Sequence, residues 1–324
     1  MSLAPTSERV VQQLRRVSDR LAVFPSERTQ RIMLGAALPL LIIGAILSYQ
    51  TADLELGDLR VVPLTLAATV ALPFVVAVNA WEYRTTGRAV GQSIPVKTSF
   101  RIAVLSTVLN YLPGHGGALL RIQALRRDGS AYRRAGGATL AAGLIWIGVA
   151  ALIPGMWLTV AGQRTLGVAL GLGGGLALAL AAISLAQAET EKSRRNRLLV
   201  SLATIETLSV TSLAFRYYLL LIAIGYDHQP ELSAFVLSLA SVLAAATGVM
   251  PGGLGIRELL ATALAPIAGL PLSFAFLITT MDRILGLSGH AAIAMPLLRS
   301  TDSPLEEQET VSDPHADDKQ SREP

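Results

Sequence analysis

The sequence predicts an all-α, polytopic integral membrane protein with about six spanning helices and two re-entrant helical hairpins in an inverted 3+3 repeat. Three observations predict this fold. The composition is 52% hydrophobic and only 15% charged, which is typical of a multi-pass membrane protein and not of a soluble domain. Apolar stretches long enough to cross a bilayer follow one another along the chain. The pattern Pro-Gly-x-x-Gly occurs twice within apolar sequence, at Pro113 and at Pro251.

Six apolar stretches have the roughly 20 residues that a spanning helix needs. They are 32–50, 61–81, 136–161, 165–188, 198–225 and 272–298. Two others lie beside the Pro-Gly motifs: 102–112 is too short to cross, whereas 232–250 could cross alone but has a short return limb, 256–270. Pro and Gly break helices, and interrupted backbone survives at membrane depth only where protein or a water-filled cavity covers it. We therefore predict that 101–134 and 232–270 are re-entrant hairpins.

Loop charges set the direction of each element, because Lys and Arg concentrate on the cytoplasmic side. The basic loops are 84–101, 121–134 and 189–197, and the N-terminal segment is also rich in Arg. The acidic loops 51–60 and 225–230 fall on the opposite side. The second half then points opposite to the first, and the two motif prolines are 138 residues apart. Matched breaks in inverted repeats predict a transport site near the midplane.

The chain divides into three parts. Residues 1–31 form a basic amphipathic segment that suits an anionic lipid surface, although a solvated charged helix is the alternative. Residues 32–299 form the transmembrane domain, with repeat halves of about 32–161 and 165–299. Residues 300–324 are acidic and poor in apolar side chains, so we predict a disordered tail. Both termini are expected to be cytoplasmic, in the plasma (inner) membrane.

Ionisable residues inside spans are costly in lipid and are therefore candidates for function. Arg257 and Glu258 begin the limb after the second break, where a helix N-terminus attracts an anion such as a lipid phosphate. A structural network that only locks the hairpin is the alternative. Asp282 and Arg283 lie near the middle of the last span. Because adjacent residues of a helix point in different directions, we expect the two side chains to have different partners.

Fourteen residues form the predicted site. The substrate-binding residues are Arg257, Glu258, Arg283, Asp282, Arg121, His115, Gly252, Gly253, Gly255 and Glu206. The hairpin breaks are Pro113, Gly114, Gly117 and Pro251. Arg216 lies near the outer end of its span and could snorkel toward the surface, so it is not included in the predicted site. Trp81 and Tyr83 are interpreted as part of an interfacial aromatic belt.

No catalytic motif stands out. The sequence shows no nucleophile elbow, phosphate-binding loop or metal spacing, and four His with no Cys argue against structural zinc. We therefore predict no catalytic residue, no metal ligand and no cofactor. Membrane lipids are the expected partners, nucleic acid is not, and a homo-oligomer is left open.

The two motifs resemble those of the lysylphosphatidylglycerol synthase/flippase transmembrane-domain family. The second motif matches its Pro-Gly-Gly-Leu-Gly-x-Arg-Glu pattern, from Pro251 to Glu258. The first matches an Asn before Pro-Gly-x-x-Gly with an Arg four residues on, at Asn110 and Arg121. The resemblance implies paired re-entrant hairpins and movement of charged or modified lipids. It does not imply lysyl transfer, because the soluble aminoacyltransferase domain of the best-known members is absent from this sequence.

The leading hypothesis is a flippase-like translocator of anionic or modified phospholipid, or of lipid-linked headgroups. Arg257 and Arg283 would supply charge, and Glu258 and Asp282 would orient these arginines, with Arg121 as a cytoplasmic entry contact. One alternative is a membrane enzyme or enzyme subunit acting on polyprenyl phosphate or glycolipid substrates. A second alternative is a structural membrane scaffold.

Overall fold

The computed structural model describes residues 42–44, 46–51, 59–110, 116–126, 132–247 and 255–299, which are helical or in short connections and contain no strand. A short helix covers Ile42–Thr51. The helices that follow are α1 Val61–Ala89, α2 Val96–Asn110, α3 Gly116–Arg126, α4 Tyr132–Val160, α5 Arg164–Ala188, α6 Lys192–Ala223, α7 Pro230–Thr247, α8 Ile256–Leu264 and α9 Leu272–Arg299.

The all-helical, multi-pass fold is confirmed. Six of the described helices are long and apolar enough to cross a membrane: α1, α4, α5, α6, α7 and α9. Helices α2, α3 and α8 are too short, in agreement with the predicted short limbs. Helix α7 reaches 18 residues and qualifies by length, although the sequence assigned it to a hairpin. The predicted first span, 32–50, lies mostly outside the described residues.

Helix α1 is longer than predicted and contains a wide turn. The segments Val61–Leu66 and Leu72–Ala89 are α-helical, while Ala67–Ala71 is a π-helix. Pro73 lacks an N–H group, and its ring would clash with the carbonyl four residues earlier, so a wider turn relieves the strain. The helix continues past the predicted end at residue 81, and most residues of its last two turns are buried in the bundle.

The extension of α1 corrects the aromatic-belt interpretation. Tyr83 is only 1% exposed and packs with Ile94 and Leu125 in the core, whereas Trp81 remains half exposed. Glu82, between the two rings, points into the protein, where it pairs with Arg121.

Helix α5 is the least buried of the six described spanning helices, and its exposed surface is apolar. It packs mainly on α4, and close contacts such as Gly148 against Gly174 let the two backbones approach. Its outer face exposes Val168, Leu172 and Leu176. An exposed leucine-rich stripe on a spanning helix is suited to contact with acyl chains.

The helix contacts occur in matching pairs. Helix α2 packs on α3, and α7 packs on α8. Helix α2 also packs on the late helix α9, while α7 packs on the early helix α4. Helices α1 and α6 pack directly on each other. The two short limbs, α3 and α8, therefore each stand beside a long helix that carries charged residues.

Candidate functional site

Five charged side chains meet where α8 begins and where α6 and α9 cross beside it. They are Arg216, Arg257, Glu258, Asp282 and Arg283. Both carboxylates are fully buried, Arg216 and Arg283 are buried, and Arg257 is half-buried. Arg257 has the most accessible side chain of the five, at 13%. We call these five residues the basic cluster.

Asp282 holds two arginines from different helices. Its Oδ2 accepts a hydrogen bond from Nη2 of Arg216 at 3.0 Å and also contacts Nη2 of Arg257. Its Oδ1 forms an ion pair with Nε of Arg216. One carboxylate from α9 therefore ties together α6 and α8. The prediction that Arg216 snorkels is wrong, because its side chain points into the bundle and is buried.

Glu258 performs two tasks at the start of α8. Its carboxylate accepts two hydrogen bonds from Arg283, from Nε at 2.8 Å and from Nη2 at 3.2 Å. Its Oε2 also accepts the N–H of Gly255 at 2.9 Å, which caps the helix. Gly255 has φ of +78°, a conformation that glycine adopts without strain. The cap and the ion pair therefore fix the same helix end.

The adjacent residues pair crosswise. Arg257 binds Asp282, and Glu258 binds Arg283. These ion pairs therefore join residues of two different helices and do not join residues that are adjacent in the sequence. This agrees with the expectation that Asp282 and Arg283 have different partners. It also joins α8 to α9 by two separate ionic links.

Arg257 has a neutral partner as well. Its Nε donates to the Tyr217 hydroxyl at 3.0 Å, and that oxygen lies 2.6 Å from Oγ of Ser241. Ser241 donates its hydroxyl hydrogen to the carbonyl of Leu237 at 3.0 Å. Its oxygen is therefore the acceptor of the hydrogen bond from the Tyr217 hydroxyl. The resulting chain of hydrogen bonds orients Arg257 from α6 and α7 together.

The basic cluster carries an excess of positive charge. Within the described part of the chain it combines three guanidinium groups and two carboxylates, which leaves one formal positive charge. A buried charge is strongly disfavoured in an apolar medium unless a counter-charge accompanies it. The arrangement is therefore suited to an anion that reaches Arg257.

A second group of charges lies at α3. Nη1 of Arg121 contacts both oxygens of Glu82 at 2.9 Å, and its Nε donates to Oγ of Ser106 at 3.1 Å. Glu206 on α6 is 3% exposed, and the charges of Glu82 and Arg121 both act on it. We call Glu82, Arg121 and Glu206 the acidic cluster, because it holds two carboxylates and one guanidinium.

The start of α3 is fixed by a residue of the first motif. The amide oxygen of Asn110 accepts the N–H of Gly117 at 3.1 Å, which links the end of α2 to the start of α3. A Cβ at Gly117 would collide with the Ser106 carbonyl and with Asn110. The motif thus combines an amide cap with a glycine that allows close approach.

The structure brings most predicted site residues into these two groups. Arg257, Glu258, Asp282 and Arg283 lie in the basic cluster, with Gly255 at its edge. Arg121 and Glu206 lie in the acidic cluster, and Gly117 lies beside it. Six predicted residues lie outside the described residues, namely Pro113, Gly114, His115, Pro251, Gly252 and Gly253.

Sequence reasoning missed several participants. Glu82 was the charged residue between two aromatic rings, and Arg216 was placed at a surface. Tyr217 and Ser241 carry no charge and gave no signal as partners. The presence of Arg216 within an apolar span was the one signal that pointed to a buried role.

These features define a multi-pass helical membrane protein with buried charge clusters beside two short helices. The family described as Lysylphosphatidylglycerol synthase TM region matches residues 32–294, and the chain belongs to that family. The resemblance drawn from the motifs is therefore confirmed, and the protein has a lipid-related membrane function. A comparison with curated proteins returned no match.

Proposed function

We propose that the protein is a lipid translocator that moves anionic or modified phospholipids, or lipid-linked headgroups, across the membrane. The observation that carries this proposal is the excess positive charge of the buried basic cluster at the start of α8. A lipid phosphate carries the negative charge that this excess favours. The cluster is built on residues that the family match covers.

The start of α8 offers two kinds of donor to a phosphate. The first N–H groups of a helix have no partner within it, and the helix dipole makes this end positive. Arg257 stands at the second position of α8 and adds a planar guanidinium. The headgroup thus binds within the protein while the acyl chains stay in the surrounding lipid.

The paired helix contacts support an inverted repeat. In such a repeat α2 and α3 correspond to α7 and α8, and the long helices α4 and α9 correspond to each other. The contacts of α2 with α9 and of α7 with α4 are then equivalent. Matched half-membrane elements of this kind meet at the site of alternating access in transporters.

The re-entrant course of 101–134 can be tested by cysteine labelling, because the natural sequence has no Cys. We further propose cytoplasmic termini in the plasma membrane, which places both ends of the segment on the cytoplasmic side. Lys97→Cys and Arg133→Cys are both at exposed positions and should react with an impermeant maleimide from the same compartment. Asp227→Cys, in the exposed α6–α7 connection, should react from the other one. Opposite accessibility of residues 97 and 133 would overturn the hairpin.

The proposed activity can be tested with Arg257→Gln in proteoliposomes. The probe is phosphatidylethanolamine with a fluorophore on its headgroup amine, which leaves one negative charge, and dithionite reports the outer leaflet. Loss of a charge-assisted hydrogen bond to the phosphate, about 1.5–3 kcal/mol, should slow flipping by roughly tenfold or more. Arg164→Gln removes an exposed arginine at the start of α5 and should flip like the natural protein.

The outcomes separate the proposal from its rivals. Equal rates for Arg257→Gln, Arg164→Gln and the natural protein would remove the basic cluster from the mechanism. Flipping no faster than in empty liposomes would defeat the translocator proposal. Turnover of a labelled polyprenyl-phosphate donor by the same preparation would instead favour a membrane enzyme.

A further inference from the structure

Glu206 is a buried carboxyl group that the proposed phosphate site does not use. It lies on α6, where the residue is 3% exposed. The charges of Glu82 on α1 and Arg121 on α3 act on it electrostatically. The first of these repels a negative charge on Glu206, and the second attracts it.

Arg121 directs its described bonds elsewhere. Nη1 binds both oxygens of Glu82, and Nε binds Ser106. Within the described part of the chain, no residue donates a hydrogen bond to the Glu206 carboxylate, and no cation lies within ion-pair distance of it. A buried carboxylate without such partners is strongly disfavoured, and a bound proton removes the charge.

The other helices packed on α6 bring no further charge to Glu206. Charged residues of α4 and α5 are exposed at the helix starts, at Arg133, Arg134 and Arg164, and α7 carries the exposed Glu231. On α9, Asp282 and Arg283 lie in the basic cluster, and His290 bonds to the Gly286 carbonyl. Helix α1, which also packs on α6, carries Glu82 and the half-buried Arg84.

We infer that Glu206 is a proton-binding site that couples the movement of an anionic headgroup to the movement of a proton. This inference rests on the proposed translocator function. The proton binds the carboxylate from one side of the membrane and is released to the other, with no covalent step. Glu206 acts here as an ion-binding residue and does not contact the lipid phosphate.

The sign of the coupling follows from the charges along α6. Glu206 and Arg216 are ten positions apart, about 15 Å along the helix axis. With Glu206 ionised, the acidic cluster has one formal negative charge and repels an anion that leaves the basic cluster. With Glu206 protonated, the acidic cluster is neutral and the anion can pass. One proton therefore moves in the same direction as one anionic headgroup.

The proton site can be tested on the purified protein by infrared difference spectroscopy between acidic and alkaline buffer. Exposed carboxylates also protonate at acidic pH, so the natural protein should show, beside their carbonyl bands, a separate band from the buried carboxylic acid of Glu206. Glu206→Gln should lose that band, while Glu191→Gln should keep it. Glu191 is an exposed residue at the start of the same helix, so it is a matched control. Identical spectra for Glu206→Gln and the natural protein would overturn the proton site.

The coupling can be tested with the same proteoliposomes and fluorescent lipid under a pH gradient. One-to-one coupling predicts that the labelled lipid accumulates in the leaflet facing the alkaline side, up to about tenfold for each pH unit. Glu191→Gln should show the same ratio. Glu206→Gln should distribute the lipid equally between the leaflets whatever the gradient.

Each result has a separate meaning. Flipping by the natural protein without any bias from the gradient would overturn coupling while leaving the translocator proposal intact. No flipping at equal pH on both sides would defeat the translocator proposal and with it the coupling, whereas the infrared comparison would still decide whether Glu206 binds a proton. A Glu206→Gln variant that keeps the gradient bias would also overturn the inference.

Discussion

Asp282→Asn should strongly destabilise the helical bundle. The substitution removes the carboxylate that holds Arg216 on α6 and Arg257 on α8. Both guanidinium groups would then remain in the protein interior without this counter-charge, and breaking a buried ionic pair costs about 3–5 kcal/mol. Heating detergent-solubilised protein and following the monodisperse peak by size-exclusion chromatography measures the loss.

Two further variants test the reason for this loss. Asp227→Asn makes the same chemical change at an exposed position and should behave like the natural protein. Adding Arg216→Met to Asp282→Asn should recover part of the stability, because it removes one of the two guanidinium groups that lose the Asp282 carboxylate. If Asp282→Asn is as stable as Asp227→Asn, the carboxylate does not hold the three helices together.

Glu258→Ala should have an effect of similar size. It removes the bidentate partner of Arg283 and the acceptor for the N–H of Gly255. Removing one partner of a buried ion pair lowers the free energy of unfolding by about 3–5 kcal/mol, and losing the cap lowers it by about 1 kcal/mol more. The same heating assay should show a lower unfolding temperature than for the natural protein.

The comparison with Glu258→Gln separates charge from capping. Gln keeps an oxygen that can accept the Gly255 N–H but loses the negative charge, so it should be less stable than the natural protein and more stable than Glu258→Ala. Glu231→Ala is the matched control, since Glu231 is an exposed acid in the first turn of α7. Equal stability of Glu258→Ala and Glu231→Ala would contradict the dual role of Glu258.

The two regions of charge share a helix and differ in sign. Helix α6 contributes Glu206 to the acidic cluster and Arg216 to the basic cluster. Its Tyr217 also contacts the basic cluster, through Arg257. A rigid helix of this length holds both at a constant separation. If lipid and proton sites communicate, α6 is the physical connection between them, together with α1, which packs on it.

Much of the fold follows from local sequence. Long apolar runs predicted α4, α5, α6 and α9 within a few residues of their observed ends, because a spanning helix must satisfy all of its backbone groups internally. The short limb α8 was also predicted, since Gly255 marks its start. Helix α1 continues eight residues past the predicted stretch, because the apolar run ends at residue 81 while the helix does not.

The partners of the site residues could not be predicted in the same way. Sequence spacing showed that Asp282 and Arg283 point in different directions, but not that Arg216 would meet Asp282. That contact depends on which face of α6 turns toward α9, and this is decided by packing between distant segments. Glu82 and Arg121 are likewise 39 positions apart and meet only because α1, α2 and α3 fold together.

The amino-acid sequence by itself determined that this chain is a helical membrane protein, where most of its helices lie and which charges are expensive enough to matter. These properties depend on the free energy of transferring side chains and backbone into lipid, which is a local quantity. Only the tertiary structure decided that Arg257 binds Asp282, that Glu258 binds Arg283 and that Glu206 lacks a described cation partner. Ion pairing depends steeply on distance, and those distances exist only after the helices have packed.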